Sequence, residues 1–355
     1  MRLAINGFGR IGRTVLKVIL SRGAWGRVRV SSRINHDRLE LAAINSRSGL
    51  NETVPYLFKY DTVYGSYPAE VGISPDGGSL RIDGRDYLFL AESDPGKLPW
   101  KNLGVDVVLE CTGAFTEFNK AQAHLRAGAK KVIISANGKG EGLTLVQGTK
   151  AFEKFLSQKD NYRVISNASC TTNCASPIIQ LLHDHFHVLK AQMITVHAVT
   201  STQSLVDDAN KNLRRSRAAF QSIIPQPTGA AVAVTRVIPE LEGRVSGSAF
   251  RVPVICGSVL EIVAQIEKET TAEEVNQVFK TAAAGELKGI IAVSDGGLVS
   301  SDVIGSPASA TVDLPLTEVL DLPHVVDENL IKVVAWYDNE YGYACRLVEL
   351  AQAVL

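Results

Sequence analysis

Residues 2–20, RLAINGFGRIGRTVLKVIL, restrict the possible folds more than any other stretch. An apolar, strand-like run ends in Gly7-Phe8-Gly9-Arg10-Ile11-Gly12, and amphipathic helical spacing begins immediately after it. A GxGxxG turn between strand and helix lets the backbone approach a pyrophosphate closely and sets that charge at a helix N-terminus. Gly7, Gly9, Arg10, Ile11 and Gly12 are therefore candidate dinucleotide-binding residues. The rhythm continues: LELAAIN, VDVVLECTG and KVIIS read as strands, RTVLKVILSRG and AQAHLRAGA as helices. Such alternation predicts βαβ units on a parallel sheet, so the fold class is α/β with an N-terminal Rossmann dinucleotide-binding domain.

After Cys170 the pattern changes. Long strand candidates, QMITVHAVT, SAFRVPVICGSVLEIVAQI and LIKVVAWYD, alternate with a few helices such as TAEEVNQVFKTAAAG. This suits an α+β catalytic domain built on a mixed or antiparallel sheet. The 355 residues exceed what one ordinary core organises. The expected division is a dinucleotide-binding domain over 1–169 and a catalytic domain over 170–340, with a C-terminal helix at about 341–355 packing back on the first. Residues 23–38 are too long for an ordinary αβ loop and read as an insertion.

Lys+Arg and Asp+Glu are equal at 37 each, which leaves no net field to draw the chain to nucleic acid or an anionic membrane. No apolar run approaches the ~18 residues of a membrane span, and MRLAINGFGR does not read as a secretory leader. The expected setting is cytoplasmic, with small molecules as partners. Five cysteines, odd in number and dispersed, predict reduced thiols, and Cys170/Cys174 lacks the second ligand pair a zinc site needs. No metal is expected.

A strict NAD site carries an Asp or Glu after the second strand to hold the ribose hydroxyls. LELAAIN runs instead into Ser46-Arg47-Ser48. An arginine flanked by hydroxyls suits a 2′-phosphate, although a solvated loop arginine would look the same. Both NAD and NADP stay open, with the residues leaning toward NADP acceptance.

The stretch ISNASCTTNCASP places Cys170 among Ser, Thr and Asn just before an apolar helical run. These are N-cap residues, so Cys170 is expected at a helix start, where the macrodipole favours the thiolate of a nucleophile. Cys174, one turn on, reads as structural. His197 ends the apolar strand of QMITVHAVT. A lone strand histidine is more often packed than catalytic, and spacing alone leaves that choice open.

Spread in order along the chain, INGFGRIGR, FKYDTVYG, ECTGAFT, AGAKKVIIS, ISNASCTTNC, TVHAVT, NLRRSRAA, PTGAA, RVPV and WYDNEYGY resemble the phosphorylating glyceraldehyde-3-phosphate dehydrogenase family. ASCTTNC is highly specific by itself. The resemblance implies that Cys170 attacks an aldehyde carbon and that His197 takes the proton as hydride leaves for the nicotinamide. A thioester then yields to inorganic phosphate. It further implies that Ser169, Thr171, Thr200, Arg215, Thr228, Gly229 and Arg251 bind the sugar phosphate and the attacking phosphate. Thr112, Ser135, Asn339 and Tyr343 would line the cofactor with Ser46 and Arg47. The family's homotetramer uses the LRRSR stretch as a loop near a neighbouring subunit's cofactor.

Four features depart from the family pattern: Ser46 in place of the acidic ribose ligand, Ala209 in place of a proline usual in strictly NAD-dependent members, the insertion at 23–38, and the added length at 313–330. The first two favour NADP or dual use. Erythrose-4-phosphate dehydrogenase shares the nucleophile and histidine and is the nearest alternative. A non-catalytic dinucleotide-binding regulator is a remote one.

Overall fold

The computed structural model describes residues 1–321 and 329–355, so the long stretch 313–330 falls partly outside the described residues. Contacts divide the chain into two units. One comprises Met1–Leu145, Lys154–Ala168 and Ala344–Leu355, the other Val146–Glu153 and Ser169–Tyr343.

In the first unit the described strands are β1 (Arg2–Asn6), β2 (Glu40–Asn45), β3 (Val71–Ile73), β4 (Ser79–Ile82), β5 (Arg85–Leu90), β6 (Val107–Glu110), β7 (Lys131–Ile134), β8 (Leu143–Thr144) and β9 (Val164–Ser166). They lie in the order β3-β4-β5-β2-β1-β6-β7-β9-β8. The run β5-β2-β1-β6-β7-β9 pairs parallel throughout. Walking outward from β1 in both directions, it is the 3-2-1-4-5-6 order of a doubly wound dinucleotide-binding sheet. Leu3, Ala4 and Ile5 are fully buried, which explains why β1 is a continuous apolar run rather than an alternating one.

Strand order reverses between β1 and β6, and in open α/β sheets ligands bind at that switch point. Gly7 stands there with φ +98°, and a Cβ on it would lie 2.6 Å from the Thr112 amide nitrogen. A Cβ on Gly12 would lie 2.0 Å from the Gly7 carbonyl oxygen, so glycine is what lets the helix Arg10–Leu20 seat against the turn. The predicted insertion at 23–38 is tied down within this unit. Trp25 packs edge-on to Tyr67 at 5.1 Å, while Ser31 Oγ and Arg33 Nε donate to Glu349 at 2.7 and 3.1 Å. AQAHLRAGA, read from sequence as one helix, belongs instead to two short turns, Phe118–Ala121 and Ala123–Arg126. Its His124 is buried, contacting the Trp100 indole N–H at 3.0 Å and the Glu110 carboxylate at 3.1 Å.

The second unit contains β10 (Val188–His197), β11 (Ile224–Pro227), β12 (Val245–Arg251), β13 (Ser258–Ile266), β14 (Ile291–Ser294), β15 (Ala310–Asp313), β16 (Glu318–Asp321) and β17 (Asn329–Tyr337). The sheet runs β11-β12-β10-β13-β17-β15-β14, with β16 on β17. Pairing is mostly antiparallel; β10–β12 and β14–β15 are parallel. SAFRVPVICGSVLEIVAQI is two strands rather than one. Pro253 has no N–H for a ladder, and Gly257 adopts φ +89°, where a Cβ would lie 2.1 Å from the Ser300 carbonyl oxygen. The helix Ala272–Ala284 starts on a capping box made by Thr271 and Glu274.

Candidate active site

The helix Cys170–Phe186 begins where its sequence says it should: Ser169 is the N-cap, and its hydroxyl accepts from the Thr172 N–H at 3.2 Å. Ala168, just before the cap, holds φ +55° although it is not glycine. Such backbone costs of order 1 kcal/mol or more and concentrates at functional turns.

β10 alternates, and Met193, Thr195 and His197 share its buried face. His197 Nε2 lies 3.4 Å from Cys170 Sγ. The parallel register of β10 and β12 sets Arg251 directly opposite His197. His197 Nδ1 donates to the Ala198 carbonyl at 2.7 Å, which leaves the Nε2 lone pair toward the sulfur. Arg251 Nη1 donates to the same carbonyl at 2.8 Å and also lies against Nδ1.

Burial and then the Arg251 charge push His197 down to about 3, against the opposing pull of the Ala198 carbonyl. The imidazole is therefore neutral across the physiological range. Burial pushes the Cys170 thiol up; Arg251 and the Thr171 donors pull it back without cancelling that effect. The thiolate expected from the helix N-terminus is thus not favoured at rest, because burial raises the thiol more than Arg251 and the Thr171 donors lower it. A neutral thiol facing a neutral imidazole is an arrangement for general-base attack. Cys174 is fully buried with its thiol pushed well above the usual range, in keeping with a structural role.

The anion-binding candidates are held in different ways. Arg251 stands in the thiol–imidazole cluster, and Arg215 Nε donates to Gln226 Oε1 at 2.8 Å. Thr228 Oγ1 accepts from the Ala230 N–H at 3.1 Å, and Gly229 is the N-cap of the helix Ala230–Val237 with no side chain to satisfy its first amides. Thr200 is engaged by its own turn, through Gln203 and Thr202. Thr171 is buried, its hydroxyl 3.0 Å from Tyr337 OH, which in turn meets Thr195 Oγ1 at 2.8 Å. Sequence reasoning had passed over Tyr337. Its ring packs edge-on to His197 at 5.9 Å, and a tyrosine ending an apolar strand was the available signal, since a buried phenol must find partners.

Around the glycine turn, Gly9 caps the helix Arg10–Leu20, and a Cβ on it would meet nothing within 4 Å. That open space over a helix N-terminus, with no side-chain cap and no acidic residue in the first turn, fits a dinucleotide pyrophosphate. Arg10 sends its guanidinium to Asp61, 2.9 Å from both carboxylate oxygens, and Ile11 is half-buried. Ser46 Oγ lies 3.2 Å from Ser48 Oγ, with Arg47 exposed. The Thr112 N–H donates to Glu110 Oε1 at 2.8 Å, and the Ser135 N–H to the Glu110 carbonyl at 3.0 Å. Asn339, in the second unit, has its Oδ1 held by the Gly257 N–H at 3.2 Å and the Ser258 hydroxyl at 3.1 Å, which leaves Nδ2 as its donor. Tyr343 is buried in the terminal helix. Among the described residues no group of three or more His, Cys, Asp or Glu could hold a metal ion, and no helix is long and apolar enough to cross a membrane.

A doubly wound nucleotide-binding sheet with this glycine turn, joined in one chain to a mixed-sheet unit carrying a thiol–imidazole pair, defines a dinucleotide-dependent oxidoreductase. Residues 1–118 match the NAD binding domain of glyceraldehyde 3-phosphate dehydrogenase, and residues 169–339 match that family's C-terminal domain. The chain is 46% identical over 351 residues to glyceraldehyde-3-phosphate dehydrogenase of Geobacillus stearothermophilus, covering 99% of this chain and 97% of that one. It is 46% identical over 355 residues to the plasmid-encoded glyceraldehyde-3-phosphate dehydrogenase of Cupriavidus necator, covering 100% and 98%. Against the enzyme of Streptomyces coelicolor the identity is 43% over 351 residues, covering 99% and 97%. The chain belongs to the glyceraldehyde 3-phosphate dehydrogenase family.

Proposed function

We propose that this protein oxidises D-glyceraldehyde 3-phosphate to 1,3-bisphosphoglycerate, reversibly and with uptake of inorganic phosphate, through a covalent intermediate on Cys170. The observation that carries this reading is Cys170 Sγ at a helix start, 3.4 Å from the unprotonated Nε2 of His197. As sulfur attacks the aldehyde carbon, His197 Nε2 takes the thiol proton and returns it to the new hydroxyl. It takes that proton again as the thiohemiacetal is oxidised to a thioester. A bound dinucleotide supplies the hydride acceptor. Phosphate oxygen then attacks the thioester carbonyl, the C–S bond breaks, and Cys170 is reprotonated. Arg215, Arg251, Ser169, Thr171, Thr200, Thr228 and Gly229 serve the two phosphates.

The Gly7–Gly12 turn holds the pyrophosphate, Thr112, Ser135 and Tyr343 line the cofactor, and Asn339 Nδ2 is suited to the nicotinamide carboxamide. Leu205, Val206, Leu213 and Ile223 are strongly exposed around the arginine-rich loop, which supports a subunit contact at this loop, as in the homotetramer the family resemblance implies. With phosphate withheld, one equivalent of reduced cofactor per site should form in a burst, with an acyl group left on the Cys170 peptide by mass spectrometry. Undiminished steady turnover without phosphate would overturn the phosphorylating mechanism.

Dual use of NAD and NADP is proposed from Ser46 and Arg47, which present no carboxylate to repel a 2′-phosphate. Ser46→Asp is expected to lower the ratio of kcat/KM for NADP to that for NAD by at least roughly tenfold, about 1.4 kcal/mol. An unchanged ratio would show that this turn does not read the ribose.

A further inference from the structure

One buried side chain next to the proposed anion site has no part in the mechanism above. Gln226 lies on β11, which pairs with β12 so that Ile224 faces Arg251 and Gln226 faces Ala249. It is 5% exposed. Its Oε1 accepts from Arg215 Nε at 2.8 Å, and its Nε2 is buried without a partner. Arg215 is half-buried and close enough to Arg251 for the two positive charges to disfavour each other. Among the described residues neither guanidinium is ion-paired to a carboxylate; their bonds go to the Gln226 amide and the Ala198 carbonyl.

Two half-buried arginines this close would ordinarily recruit an acidic partner. A neutral amide fixes the plane of a guanidinium without cancelling its charge. With Nε committed, the two Nη groups are left as a fork for a phosphoryl group, the geometry that makes arginine selective for such anions. We infer that Gln226 is a positioning residue of the anion site: it anchors Arg215 through Nε and keeps that guanidinium uncompensated, so that a phosphoryl dianion supplies the missing charge. The role presupposes the anion-site reading under the proposed function.

Two substitutions separate this role from mere packing. Gln226→Glu keeps the shape and the acceptor for Arg215 Nε but brings a competing negative charge. Gln226→Met keeps the bulk and removes the acceptor. If Gln226 only supported the fold, glutamate would be the milder change; charge competition predicts the reverse. The probe is inorganic sulfate, titrated calorimetrically at pH 8 into full-length protein saturated with NAD, with thermal melting as a folding control. Gln226→Glu is expected to weaken sulfate binding at least about tenfold and Gln226→Met about threefold. In turnover, KM for whichever substrate Arg215 holds, sugar phosphate or inorganic phosphate, should rise in the same order while kcat changes little. Sulfate binding by Gln226→Glu equal to wild type, or weaker binding by methionine than by glutamate, overturns the role. Should the glutamate variant not fold, unchanged binding by Gln226→Met overturns it. If wild-type protein takes up no sulfate at millimolar concentration, the anion-site reading itself fails, and the role of Gln226 with it.

Discussion

Cys170→Ser is expected to lower kcat by about 10⁴-fold or more, with NAD affinity preserved, because the thiol is the atom that becomes bonded to substrate. A hydroxyl cannot substitute. It is a far weaker acid than the thiol, and the base beside it is an imidazole that burial and Arg251 have pushed down to about 3. The protein manages with so weak a base only because sulfur is intrinsically nucleophilic and gives up its proton as it attacks. The same balance makes a second observable. Burial raises the Cys170 thiol above its ordinary value of 9.0, with Arg251 opposing. Alkylation of the ligand-free protein by iodoacetamide should therefore keep accelerating as pH rises through 8 and 9, without a plateau near neutrality. A serine variant that retained even about a hundredth of wild-type turnover would mean that the nucleophile lies elsewhere. A plateau at pH 6 would mean that a thiolate–imidazolium pair is the resting state.

The parts of this molecule that were legible in its sequence are those fixed by neighbours in the chain. Gly7 and Gly12 are set by backbone sterics within a single turn, and Ser169 caps the helix that starts one residue later. What sequence could not show depends on register and burial. His197 and Arg251 are 54 residues apart and meet because β10 and β12 pair parallel. Family resemblance had placed Arg251 among the phosphate ligands, but only the fold reveals that the same guanidinium also holds down the imidazole. The sign of the Cys170 shift was misread for a related reason. A helix N-terminus is visible in the sequence, whereas the burial that raises the thiol is a tertiary quantity. Gln226 gave no signal at all, since a glutamine in IPQP acquires meaning only once Arg215 is bonded to it.

Replacing His197 by asparagine should cost about 10³-fold in kcat, within the usual range for removing a general base, and should leave a stability signature that owes nothing to turnover. In the folded protein the imidazole stays neutral down to about 3, whereas in the unfolded chain it protonates near its ordinary 6.5. Between those values the unfolded state binds a proton that the folded state does not. Wild-type stability therefore rises with pH across this window and is lost as pH falls from 6.5 toward 3. Over the whole span the difference corresponds to about 5 kcal/mol at 1.36 kcal/mol per unit. Carboxylates such as Asp61 titrate over part of the same range, held below their usual value by Arg10 and Lys17 in spite of burial, but they are common to both proteins. The informative quantity is therefore the difference in urea unfolding free energy between wild type and His197→Asn, measured from pH 7 to pH 4. It should shift steadily in favour of the variant as pH falls. A difference that stays flat would mean that His197 protonates in the folded protein at its ordinary pKa, and that the neutral imidazole on which proton transfer from Cys170 depends is absent in solution.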